Sequence, residues 1–285
     1  MNAEKVKSGL CGSLLVLSAL TGLLTLVSVT ASAATLELGR CSKLSGEKVG
    51  KKTVYHGAYA NHICTKSSPT GTGKYEWAPG PGPDRKFVGS SSQASFIEGD
   101  GSPEPVTQCG TTSYSGEYTG PTTFTENIVF SGCSHAQETC VEALEGREPE
   151  CPQPCNNNPE QCEVEEFHPC SSAGAGEGEI RSAVLEGRFG LISGPKRAKK
   201  RVAVLLTPAA GLFAGFECDG EGVGWAGSLL GLFRTTEKMS TAFAASFSQR
   251  NASAFEGESG GGFSARPAMG GMLTNEEPLE VRVLE

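Results

Sequence analysis

The chain has 285 residues, a formal net charge of −8 and 38 glycines, about twice the usual glycine share. With 24 basic against 32 acidic residues it offers no basic face for phosphate contacts, which sets nucleic acid aside as a partner. A chain this long buries a core without needing staples, and so many glycines with little helical periodicity point to short strands joined by turns.

In chain order, residues 4–34 read as an export signal. Lys5 and Lys7 precede an apolar run over 10–29, and Ala31-Ser32-Ala33 supplies small residues at a peptidase spacing. Cleavage after Ala33 leaves 252 residues. The alternative is an uncleaved anchor over residues 10–29, which is the single membrane association expected. Export carries ten cysteines, Cys41, Cys64, Cys109, Cys133, Cys140, Cys151, Cys155, Cys162, Cys170 and Cys218, into an oxidising compartment where bridges persist.

After the signal, residues 34–135 form an N-terminal β half. Residues 70–83 are turn-rich, and 87–88 and 94–97 read as short strands. Residues 114–119 and 124–130 are the arms of a hairpin around Gly120-Pro121, the second arm with apolar alternation. Residues 136–170 break this pattern. Eleven glutamates lie between Glu138 and Glu179 against one arginine, Arg147, and the stretch is rich in Pro, Asn and Cys. Such a composition buries no core and is ordered through cross-links, so it reads as a disulfide-knotted acidic loop. A helical turn is expected near 140–144.

Residues 171–285 are a C-terminal β half. Two short strands are expected around Glu186-Gly187, then a firm strand over 201–207 stopped by Pro208, then strands over 212–218, 222–233 and 239–248. A glycine tract follows at 257–262, and a closing strand at 279–284. The fold class is therefore all-β: an antiparallel sandwich or barrel-like module of about ten strands with a disulfide-rich acidic loop insertion.

Several constellations carry chemistry on paper. Cys151, Cys155 and Cys162 with His168 and Cys170 suggest a thiolate metal cluster, but zinc sites favour tighter pairs and export favours cystines. Ser259 lies in a G-x-S-x-G context, and His62, Asp100 and Ser259 follow a His–Asp–Ser order. The residue before the serine is Glu258, and no helix follows it as a hydrolase elbow requires. A glutamate pair in the insertion would need a rigid cleft to act on a glycosidic bond. The run Lys196-Arg197-Ala198-Lys199-Lys200-Arg201 reads as a solvated hairpin tip. Tyr75, Trp77, Tyr114, Tyr118 and Trp225 would stack on sugars if exposed, and pack in the core otherwise. No catalytic, cofactor or metal set is assigned.

The ordered blocks CTK…GTGKYEW, C…SGEYTGP…VFSGC, SAGAGEGEI…LEGRFGLI, FECDG…GSLLG…KMSTAF and NEEPLEVRVLE make the chain resemble a group of secreted proteins of high-GC soil actinobacteria. The resemblance implies one secreted β module and no particular activity; the Cys-rich insertion departs from it. It also divides the cysteines into six in shared blocks (41, 64, 109, 133, 170, 218) and four in the insertion (140, 151, 155, 162). It implies the pairs Cys41–Cys64, Cys109–Cys133 and Cys170–Cys218, among the 15 connectivities that six cysteines allow. Together these features point to a secreted, disulfide-stabilised module that is structural or binding, at the cell envelope or outside the cell, with cell-wall polymers or glycans as partners. The alternative is a secreted hydrolase using Ser259 or a glutamate pair.

Overall fold

Apolar alternation marks several strands, as in Phe124–Phe130 and Leu185–Leu191. The computed structural model describes residues 35–98, 106–140, 162–192, 201–234, 238–248 and 263–284, and these contain strands and turns with no helix. The strands are β1 (Thr35–Lys43), β2 (Glu47–Val49), β3 (Lys52–Val54), β4 (Tyr75–Pro79), β5 (Lys86–Ser91), β6 (Ala94–Glu98), β7 (Val106–Tyr118), β8 (Thr123–Cys140), β9 (Cys162–Ser171), β10 (Glu179–Arg181), β11 (Leu185–Ile192), β12 (Arg201–Pro208), β13 (Ala214–Cys218), β14 (Glu221–Trp225), β15 (Leu229–Arg234), β16 (Ser240–Ser248) and β17 (Ala265–Leu284). Seventeen strands among the described residues replace the expected ten or so, seven of them only three to five residues long.

Eight of these strands close on themselves. β8, β11, β12, β15, β16, β17, β5 and β7 pair in that order, every pair antiparallel, and β7 pairs back onto β8. The expected antiparallel all-β module is thus a barrel, which leaves no open edge in this ring. β6 takes over from β5 between β17 and β7, while the far end of β8 pairs with β10 and β9, and β13 and β14 extend that side. Trp225 and Ala226 lead back to the start of β17 through a Ser264 N–H bond to the Ala226 carbonyl, 2.9 Å. Strands from both halves of the chain therefore share one wall.

A closed eight-stranded wall has an interior that side chains must fill, and here aromatic rings fill it. Phe87, Tyr118, Phe124, Phe189, Phe233 and Phe243 contact one another in series, with centroid distances from 4.9 to 6.4 Å. A second cluster under β6, β8 and β14 stacks Phe96 on Trp225 at 3.8 Å, with Phe130 and Phe216 edge-on to the indole.

The rings sit on glycines. Phe87 lies directly across from Gly116, Phe124 from Gly187, and Phe247 from Gly231. A Cβ at Gly187 would stand 2.1 Å from the Phe124 ring, and one at Gly116 2.2 Å from Phe87. This corrects the reading of Glu186-Gly187 as a break between two strands: Gly187 lies inside β11, where the missing side chain makes room for a ring. The run Val202–Leu206 is buried on both faces. Val202, Val204 and Leu206 join the main core, and Ala203 and Leu205 form a smaller cluster with Ile192 and Leu230.

Among the described residues, three cystines brace the strands. Cys109–Cys133 and Cys170–Cys218 join directly opposed residues of neighbouring strands, with Cα atoms 4.0 and 4.3 Å apart, and Cys41–Cys64 ties β1 to the loop after β3. These are the pairs the shared blocks imply. Of the acidic stretch, residues 136–140 and 162–170 continue β8 and β9 with Cys140 opposite Cys162. Residues 141–161, with Cys151, Cys155 and most of the expected helical turn, lie outside the described residues, as do the side chains of Cys140 and Cys162.

Gly187→Ala should lower stability by about 1–3 kcal/mol through overpacking against Phe124. Gly222→Ala, which meets open space, should change it by less than about 0.5 kcal/mol. Urea midpoints of the two variants test this; equal midpoints would show that the rings do not need the glycines.

Candidate functional site

β8 turns Phe124, Glu126, Ile128 and Phe130 inward. A carboxyl therefore sits in the aromatic interior, 3 % exposed, opposite Gly116 on β7 and diagonal to Tyr114 and Tyr118. No lysine or arginine is among the described residues lining this space. Burial alone pushes the Glu126 carboxyl up to about 8, so it is protonated and neutral at pH 7. Burial also pushes Tyr114 up to about 12, partly offset by the nearby Ser91 side chain and reinforced by Glu126, and raises Tyr118 further. The Tyr118 hydroxyl donates to Asn275 Oδ1 at 2.7 Å. The Tyr114 hydroxyl, Asn275 Nδ2 and Thr112 Oγ1 are buried without a hydrogen-bond partner. The pocket these residues line holds about 10 Å³ of free space, room for one water at most. A neutral acid beside two tyrosines can hold a proton here, but the rings leave no space for a substrate.

A second centre joins the N-terminal segment to β17. The Arg282 guanidinium lies 3.7 Å over the Trp77 ring and 5.8 Å from that of Tyr59, and donates to the Cys64 carbonyl at 3.0 Å and to Glu280 Oε2 at 3.1 Å. The Trp77 indole N–H donates to Glu37. The Glu280 side chain is 6 % exposed and that of Arg282 18 %, so the pair is mostly shielded from water and fixes the loop 55–74 in place.

Among the described residues, concavities open on the outer wall. One, about 590 Å³, is lined by Thr119, Thr123, Thr125, Thr207, Glu186 and Arg188 around Gly187. Three of its four hydroxyls have partners, Thr119 with Thr123 at 2.9 Å and Thr207 with the neighbouring Ser228 at 3.0 Å. Another, about 370 Å³, lies where β5 gives way to β6 and is lined by Ser92, Gln93, Gln108, Gly110, Gly132 and Ser134 over the Cys109–Cys133 bridge.

Only some of the residues singled out from sequence fall among the described ones. His62 lies edge-on to Tyr75, with centroids 6.4 Å apart; Asp100 and Ser259 lie outside the described residues, as do Lys196 to Lys200. Cys170 is committed to its bridge with Cys218. His168 stands opposite His135 and 3.8 Å from Asp219. No group of three or more metal-type ligands gathers among the described residues. Tyr114, Tyr118 and Trp225 are core side chains, 4 %, 1 % and 1 % exposed, so they offer no stacking platform; Tyr75 and Trp77 are half-buried. Glu126 went unread, although its place in the Phe124–Ile128–Phe130 alternation marks it as an acid on an apolar face. Gln93 and Gln108 had no local signal. No protein-family model matches the chain, and neither does any curated protein or solved structure.

Glu126 sets a pH dependence. Its folded value lies above its ordinary 4.5, so from about pH 4.5 to 8 the folded state holds one proton more than the unfolded. Stability should fall as pH rises through that window, by at most about 1.4 kcal/mol per pH unit. Glu126→Gln keeps the shape without the ionisation; it should flatten the slope and raise the melting temperature at pH 8, as thermal unfolding across pH 4–9 would show. Arg282→Ala strands Glu280 and frees Trp77, which should cost about 2–4 kcal/mol. Limited proteolysis should then cut within residues 55–74 first, and resistance there equal to wild type would refute the joint.

Proposed function

We propose that the protein is exported and works as a cystine-stabilised binding or structural module, at the cell envelope or outside the cell, rather than as an enzyme. The observation that carries this reading is the filled barrel: among the described residues, aromatic rings leave the pocket around Glu126 only about 10 Å³, which favours recognition on the outer wall. The three bridges fit an oxidising compartment. The same reading groups the chain with the exported actinobacterial proteins it resembles and takes cell-wall polymers or glycans as partners.

The test is expression with residues 1–33 in a secreting host, followed by fractionation. The expected product starts at Ala34, migrates as an oxidised species, is retained on isolated cell envelope and takes up no fluorophosphonate. Labelling at Ser259, or turnover of a glycan, establishes the hydrolase alternative instead. Recovery of reduced protein from the cytosol overturns export.

A further inference from the structure

Three neighbouring strands break at one level of the wall. Ser91 pairs with Thr112 and Ala94 with Cys109, so Ser92 and Gln93 have no ladder partners on β7. Across Gly110 and Thr111, β7 changes which residues it turns inward, from Cys109 to Thr112. β8 does the same across Ser131 and Gly132, where Gly132 takes φ +65°. Bulges of this kind recur beside binding sites, where they re-aim side chains. The Cys109–Cys133 bridge lies immediately beneath.

The hollow that results, about 370 Å³, falls in the range of ligand pockets, about 300–1,000 Å³. The side chains of Ser92, Gln93, Gln108 and Ser134 make no hydrogen bond with a described residue, so a ligand would meet donors and acceptors that nothing else has claimed. None of the lining groups is charged. The adjoining wall continues this character. Ala244, Met272, Ser90, Ser113 and Val129 form one row across five strands, and Ala242, Thr274, Val88, Ser115 and Asn127 the next. Neither row contains an ionisable side chain. Val88 and Met272 stand 60 % and 50 % exposed near its centre.

We propose that the hollow and this wall bind an uncharged, hydroxyl-bearing polymer, a neutral glycan laid along the outside of the barrel. The inference rests on the binding-module reading above and supplies its ligand class and place. Glutamine amides and serine hydroxyls donate and accept, as sugar hydroxyls demand. Val88 and Met272 offer apolar contact to the C–H faces of sugar rings. Within the hollow and these two rows a polyanion would find no cation, Arg234 and Arg181 standing only at the two ends of the first row, and a purely apolar ligand would leave the four polar side chains without partners. The bridge holds the hollow in its bound shape beforehand, which lowers the ordering cost of binding. The groove with Glu186 and Arg188 is the poorer candidate, because it carries both charges and because three of its four hydroxyls already have partners, Thr119 with Thr123 and Thr207 with Ser228.

Affinity electrophoresis of the oxidised, signal-free protein through gels containing a soluble β-glucan, xylan, α-glucan or alginate tests this. At least one neutral polymer should retard the wild type, with little change on adding salt. Gln93→Ala with Gln108→Ala, and separately Ser113→Glu, should weaken binding about tenfold or more, while Thr125→Val with Thr207→Val leaves it unchanged. Circular dichroism melting confirms that each variant folds. Retardation by alginate alone, or neutral-polymer binding that survives both hollow and wall variants, overturns the inference. If no polymer retards a protein that still adheres to cell envelope without fluorophosphonate labelling, the inference fails and the module reading stands. If the neutral polymer is cleaved, both fall.

Discussion

A closed ring of eight strands imposes one demand: whatever faces inward has to fill the lumen at the density of a core. This chain meets it with rings seated on glycines of the adjacent strand. Phe87 over Gly116, Phe124 over Gly187 and Phe247 over Gly231 are the same device repeated around the wall. It explains why glycine is abundant inside strands, where it normally weakens them: the entropic cost is offset by the ring area buried against bare backbone. It also explains why a single carboxyl is tolerated. Once the rings exclude water, Glu126 stays neutral by keeping its proton instead of recruiting a cation.

The remaining constraints act on the ring from outside. Two cystines join residues already opposed in the ladder, so they hold a register that the pairing has set. Arg282 adds a polar joint of a different kind, bringing an indole, a carboxylate and a main-chain carbonyl to one guanidinium. The N-terminal segment is thereby fastened to the last strand by charge and stacking, while the barrel itself is held by packing.

Much of this architecture was readable in advance. The alternation from Phe124 to Phe130 announced a half-buried strand, and the apolar run after Arg201 announced one covered on both sides. What could not be read is what depends on partners far away in sequence. Gly187 looks like a turn until Phe124 is known to lie across from it. Pro267 and the Gly270-Gly271 pair hid the first half of β17, so that only its alternating tail from Leu279 was recognisable. The outer hollow joins Gln93, Gln108 and Ser134 through the pairings of β6, β7 and β8, and no local spacing encodes that meeting. Glu126 was visible, but an acid at one apolar position reads as noise without the wall around it.

β17 has a consequence for how the molecule is made. It pairs with β1, β5, β6 and β16, so the ring lacks a member until residues 268–275 are present. Any process that feeds the polypeptide N-terminus first, whether a ribosome or a membrane pore, delivers this keystone after every other stave. Until then the earlier strands can pair locally but cannot shut. Such non-local closure is intrinsically slow, and it keeps the chain threadable for as long as it is still in transit.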